Sequence, residues 1–215
     1  MLIAGDLFHR QPLKKELKEL NYLFSRLTRT KVVFIAGNHD FIKHDSYYLT
    51  FRWNENVYPL LNGHMGSVEF KELKTSVYGL SYYQREITER LYDRAKAPGR
   101  QKYEILLAHG GDEKHIPIKK EILSNLGYSY IAMGHIHKPQ TLVENQIAYA
   151  GALEPIDKND TGKHGYIRGE VTEKGVKAEL IPSAKREYMH LSVEVGKNMT
   201  CLLYTSDAAD DRISV

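Results

Sequence analysis

Four short polar clusters in this chain each follow an apolar run: Gly5-Asp6-Leu7-Phe8-His9, Gly37-Asn38-His39-Asp40, His109-Gly110-Gly111 and Gly134-His135-Ile136-His137. Their side chains offer carboxylate, amide oxygen and imidazole, with no thiolate. That donor set suits Mn, Fe or Zn better than a soft metal such as Cu(I). His135 and His137 stand two apart, so in extended chain both project to one side. One loop can then serve two neighbouring ions, and the two oxygens of Asp6 could bridge them. Two ions about 3.5–4 Å apart form a clamp for in-line displacement at phosphorus. Glycine beside each cluster lets the backbone turn sharply and approach a ligand closely.

Strand ends must position these groups. Leu2-Ile3-Ala4 reads as a short apolar strand running into Gly5-Asp6. Pro12 suits the first turn of a helix, and Leu13, Leu17, Leu20, Phe24 and Leu27 follow at helical spacing. Val32-Val33-Phe34-Ile35-Ala36 is a compact apolar run ended by Gly37, a buried strand. Together these make a βαβ crossover. Further strands are expected at 67–70, 76–80, 104–108, 130–133 and 147–150, then an all-β stretch at 165–172, 176–181 and 188–195 with a hairpin turn at Lys174-Gly175. Helices are expected at 84–95 and 119–126, and residues 41–66 read as loop. In an α/β sheet the carboxyl ends of the strands lie along one edge, where ligands bind. The four clusters therefore converge. The expected fold class is α/β.

The composition excludes several classes. The chain has 215 residues, 42% hydrophobic and 27% charged, which is ordinary for a globular protein. No stretch approaches the roughly 20 apolar residues of a membrane span. The N-terminus lacks the pattern of a secretory signal, and a single cysteine, Cys201, rules out an internal disulfide framework. A cytoplasmic protein is the expectation. The net charge of +3 is a mild basic bias, compatible with a polyanionic partner without pointing to one.

The ordered set GD-x-x-H, GNHD, a strand-end histidine and GHxH resembles the calcineurin-type metallophosphoesterases. The wording Leu2-Ile-Ala-Gly-Asp-Leu-Phe-His9 is similar to the SbcD branch, the nuclease subunits of DNA repair complexes. Residues 151–166 and 184–188 resemble the YhaO-like bacterial proteins of that branch. The resemblance covers residues 1 to about 197 and implies a two-sheet sandwich flanked by helices, with the start of a small capping domain, and two divalent metal ions, Mn2+ foremost. Asp6 matches the bridging carboxylate, Asn38, His109 and His135 match ligands of the second ion, and His137 matches a ligand of the first. His39 matches the catalytic histidine that stabilises or protonates the leaving oxygen, with Asp40 orienting it. His9 matches a contact to the substrate phosphate, against the plainer reading that it caps the next helix or faces solvent. The resemblance also implies DNA as substrate, an SbcC-like ABC ATPase partner and a homodimer of nuclease subunits.

The family opens with an Asp-x-His motif ahead of the position of Gly5-Asp6, and this polypeptide begins after it. The 215-residue chain is therefore expected to be catalytically impaired, and its parent active. The run from Cys201 to Asp210 resembles the in-frame translation of a transposon-end sequencing adapter. The expected organisation is a nuclease domain over 1–185, the start of a capping domain over 186–200 and a non-native tail over 201–215. Two other functions share these residues: a small-molecule phosphodiesterase with the same metal centre, and a non-catalytic DNA- or partner-binding scaffold. His44, His64, His115, His164 and His190 lack ligand spacing and are read as structural or surface groups. Tyr47, Tyr48, Phe51 and Trp53 are read as packing rather than as a base-stacking platform.

Overall fold

The computed structural model describes residues 1–192. Two sheets pack face to face. The smaller holds β1 (Leu2–Ala4), β2 (Val32–Ile35) and β3 (Val57–Pro59), all parallel, in that order. The larger has six strands: β4 (Gly66–Phe70), β5 (Thr75–Gly79), β6 (Tyr103–His109), β7 (Tyr130–Gly134), β8 (Gln140–Val143) and β9 (Ile147–Tyr149). Its order is β4-β5-β6-β7-β9-β8, with β5, β6, β7 and β9 parallel and the edge strands β4 and β8 antiparallel to their neighbours. A separate antiparallel hairpin joins β10 (Gly165–Thr172) to β11 (Gly175–Pro182). The helices are α1 (Lys14–Ser25), α2 (Tyr47–Thr50) and α3 (Lys120–Ser124). Among the described residues no helix is long and apolar enough to cross a membrane.

The apolar runs owe their continuity to burial on both faces. In β2, Val33 and Ile35 point between the sheets, where they meet Leu60, Phe70, Val77 and Leu107. The alternate residues Val32, Phe34 and Ala36 point the other way, against Leu17 and Phe24 of α1 and the buried Tyr48. β6 repeats the pattern. Leu107 faces the space between the sheets, and Leu106 and Ala108 face a third cluster with Leu123, Leu126 and Ile131. Of the aromatic segment after β2, Tyr48, Phe51 and Trp53 pack here as expected, with Trp53 meeting Phe34 edge-on at 5.0 Å and Phe51 meeting Trp53 at 4.9 Å, whereas Tyr47 is exposed.

Several elements differ from the sequence reading. The expected helix at 84–95 is a chain of turns. Its backbone partners lie elsewhere: Ile87 N–H donates to the Lys114 carbonyl, and Ile116 N–H donates back to Ile87. Ile87 and Tyr92 are buried, so the segment is a wall of the core rather than a surface helix. Leu13 and Leu27, assigned to the apolar face of α1, are exposed, and Leu17 and Phe24 carry the contact. α2, β3 and β8 were not anticipated. At 188–192 only an isolated bridge forms, between Tyr188 and Thr161. The rest of that expected strand and the tail from Cys201 lie outside the described residues.

Phe34 is fully buried between α1 and the sheet and touches both Tyr48 and Trp53. Phe34→Ala is expected to cost about 3–5 kcal/mol, read as a lowered midpoint in urea denaturation with an unchanged slope.

Candidate metal centre

Both sheets present strand ends at one edge. Asp6 follows β1, Asn38 follows β2, His109 closes β6 and His135 follows β7. Single ligand atoms of Asp6, His109 and His135 all lie within 4.8 Å of one another.

His109 is fully buried, two tyrosines hold its backbone groups and a third holds the next carbonyl. Its N–H donates to Tyr92 Oη at 3.0 Å, its carbonyl accepts from Tyr82 Oη at 3.2 Å, and Tyr149 Oη donates to the Gly110 carbonyl at 2.8 Å. The ring Nδ1 lies 2.7 Å from the Ala4 carbonyl. A carbonyl only accepts, so Nδ1 carries the proton and the neutral ring keeps a lone pair at Nε2. That Nε2 faces Asn38 Oδ1 at 2.9 Å and Asp6 Oδ2 at 3.3 Å. His135 repeats the logic. Its Nε2 lies 2.7 Å from Asp112 Oδ2, which fixes the proton there, and its Nδ1 faces the same Asn38 Oδ1 at 3.1 Å.

Four acceptor atoms thus converge: a carboxylate oxygen, an amide oxygen and two imidazole nitrogens. With neutral rings nothing in this group donates to the others, so their mutual approach is repulsive until a cation joins them. The hard-to-borderline N/O set fits a divalent ion such as Mn, Fe or Zn. Burial works to raise the Asp6 carboxyl, but the hydrogen bond and charge of His109, with the His39 N–H, bring it below its ordinary value.

The backbone is held in unusual conformations around these groups. Asp6 has φ 51° and His135 φ 99°, left-handed values that cost a non-glycine residue on the order of 1–3 kcal/mol. Gly37 permits the approach of the two sheets: a Cβ there would sit 2.2 Å from Asp6 Oδ1 and 2.6 Å from His109 Cε1.

The remaining expected site residues are placed as follows. His39 donates its backbone N–H to Asp6 Oδ1 at 2.9 Å, and its ring stacks on His9 at 4.4 Å. Burial lowers the His39 ring pKa, against the opposing pull of Asp6. His9 does not cap α1, where Leu13 is the N-cap with its N–H bonded by Glu16, but it is exposed, as the plainer reading allowed. His39 and His137 line a cavity of about 500 Å3 together with Asp6, Asn38, Arg85, Lys114, His115 and His135. His137 lies outside the tight group of Asp6, His109 and His135, and its Nδ1 lies 3.6 Å from Asp160 Oδ2. Asp40 departs from its expected role. It was expected to orient His39, but its carboxylate turns into the core and accepts from Gly37 N–H, Phe8 N–H and Tyr48 Oη. It shapes the loop after β2. Burial pushes its carboxyl up, and those donors work against the rise.

The sequence reading missed Asp112. This carboxylate accepts from both His135 and His115. Partial burial works to raise it, and these two rings with the Lys114 N–H hold it well below the carboxylate range. His115, read as a structural or surface group, stands with its ring 4.4 Å from that of His135. The signal that could have found Asp112 was its position in the glycine loop after His109.

A family model described as calcineurin-like phosphoesterase matches residues 1–139. The chain belongs to the calcineurin-like phosphoesterase family. It is 30% identical to the "uncharacterized metallophosphoesterase YhaO" of Bacillus subtilis, an alignment covering 94% of this chain and 53% of that protein. It is 27% identical to the "DNA double-strand break repair protein Mre11" of Methanocaldococcus jannaschii, over 74% of this chain and 46% of that one. The chain spans about half the length of these curated relatives. Calcineurin-like phosphoesterases are hydrolases that use divalent metals, and the convergent acceptors around Asn38 are where such an ion fits in this member.

Gly37→Ala should push Asp6 and His109 apart. A fall in Mn2+ affinity of roughly 10–100-fold is expected, the scale seen when residues supporting a metal ligand are disturbed, measured by isothermal titration calorimetry.

Proposed function

We propose that this chain is the catalytic part of a metal-dependent phosphodiesterase acting on DNA, a nuclease subunit of the SbcD kind using two divalent ions, with Mn2+ preferred. The observation that carries this reading is the meeting of four lone-pair atoms, from Asp6, Asn38, His109 and His135, at one end of the sandwich. Likeness to a protein named for DNA double-strand break repair supports DNA as the substrate.

When bound, the ions would supply Lewis acidity, polarising the phosphoryl oxygen and lowering the pKa of a water so that it loses a proton to solvent more readily. The chain's own residues prepare the rest. The His39 N–H anchors Asp6 Oδ1 and so aims Oδ2 at His109. The Ala4 carbonyl keeps the proton of His109 away from the centre. His39 lies at the cavity wall, where its ring can give a proton to the leaving oxygen. His9, stacked on it, is offered to the substrate phosphate. Arg85 and Lys114 add positive charge to the same cavity. His137 is the donor this chain offers, with Asp6, to a further ion. An SbcC-like ABC ATPase that gates access, and a dimer of nuclease subunits, complete the proposed assembly.

The test uses the full-length protein that contains this chain, with single-stranded and 3′-ended DNA and with bis(p-nitrophenyl) phosphate. Cleavage of both substrate types is expected in Mn2+, lost in EDTA and restored by Mn2+. Asn38→Ala and His109→Ala should each lower kcat by roughly 100-fold or more, at or beyond the range for residues that merely support a ligand. Diester turnover without DNA cleavage would replace DNA by a small-molecule substrate. Salt-sensitive DNA binding with no cleavage would leave a scaffold.

A further inference from the structure

The loop after β6 carries a carboxylate that the proposed mechanism does not itself require. Asp112 Oδ2 lies 2.7 Å from His135 Nε2, and His115 Nδ1 lies 2.8 and 2.9 Å from the two oxygens of the same carboxylate. Asp112 Oδ1 also accepts the backbone N–H of Lys114 at 2.8 Å and of His115 at 3.0 Å. The carboxylate is thus fixed from below by its own turn and from the side by an imidazole. The turn is itself anchored, because Gly111 N–H donates to the His115 carbonyl at 2.7 Å and Ile116 N–H donates to Ile87 at 2.7 Å.

We infer that Asp112 is a positioning residue for His135, and that His115 braces it. This inference rests on the metal centre proposed above. His135 needs such a hold. Its backbone sits at φ 99°, and a neutral ring could carry its proton on either nitrogen. A carboxylate at Nε2 keeps the proton there, stops the ring from turning over, and makes Nδ1 a better donor toward the Asn38 side. His115 then prevents Asp112, whose side chain is 46% exposed, from swinging into solvent.

The same three side chains also lie close enough to hold a cation of their own, with ligand atoms within 4.8 Å. The hydrogen bonding argues against that use. Both imidazoles already direct an N–H at Asp112. An ion there would need the Nε2 lone pair of a ring whose Nδ1 serves the main centre.

Asp112→Asn separates the two roles of this residue. The amide keeps an oxygen for the Lys114 and His115 N–H groups but sets an NH2 against His135 Nε2–H. Mn2+ titration of the 215-residue chain, with free Mn2+ read by electron paramagnetic resonance, gives affinity and number of sites. Thermal unfolding in EDTA reads the fold without metal. Asp112→Asn should weaken Mn2+ binding roughly 10–100-fold, with the number of sites unchanged and the metal-free Tm within about 2 °C, below the shift that 1 kcal/mol produces. His115→Ala should give a smaller loss of the same kind. Wild-type affinity in Asp112→Asn overturns the inference. So does the loss of one whole site, which would make this a cation site, or a fall in metal-free Tm that accounts for the weaker binding. If the wild-type chain binds no Mn2+, the metal centre itself fails, and this inference with it.

Discussion

The carbonyl oxygen of Ala4 accepts a hydrogen bond from His109 Nδ1 at 2.7 Å, and much of the site follows from that contact. It ties the end of β1 in the small sheet to the end of β6 in the large one. It fixes the tautomer of a ring with no exposure to solvent, so the lone pair at Nε2 faces Asp6 and Asn38. The neighbouring strand respects the same oxygen: a Cβ on Gly134 would lie 1.9 Å from it. Three strand ends from two sheets therefore meet around one backbone atom, and His135, the next residue, is delivered beside them.

Such a contact demands a rigid frame. Residues of β2 and β6 are buried on both faces, one set between the sheets and the other against the outer layers. The strand ends cannot slide without disturbing both cores. Tyrosine hydroxyls finish the frame where the sheets stop offering backbone partners: Tyr82, Tyr92 and Tyr149 around His109-Gly110, and Tyr48 on Asp40. This support lets Asp6 and His135 remain at left-handed φ values, strain that packing must offset.

The framework of the site was legible in the sequence, because each ligand candidate follows a local apolar run and a glycine, and such patterns need no knowledge of distant contacts. The βαβ start was readable for the same reason, and so was the hairpin of β10 and β11, although its turn falls at Glu173-Lys174, one residue before the expected Lys174-Gly175; the two-sheet architecture came from the family resemblance. What escaped depends on partners far along the chain. Ile87 is buried because it pairs with residues 114–116, which a charged sequence around it disguises as a surface helix. Tyr149 reaches Gly110 across 39 positions, and Asp112 reaches His135 across 23. The role that the family resemblance implied for Asp40, orienting His39, does not appear in its contacts, because its side chain turns inward to Tyr48.

The central claim is that Asp6, Asn38, His109 and His135 share one cation. Crystals of the protein soaked in MnCl2, with data collected above the manganese absorption edge, test it most directly. The account predicts an anomalous difference peak among Asp6 Oδ2, Asn38 Oδ1, His109 Nε2 and His135 Nδ1, with the Ala4–His109 contact intact. A map without that peak, or with its only peak between Asp112 and His115, would contradict it.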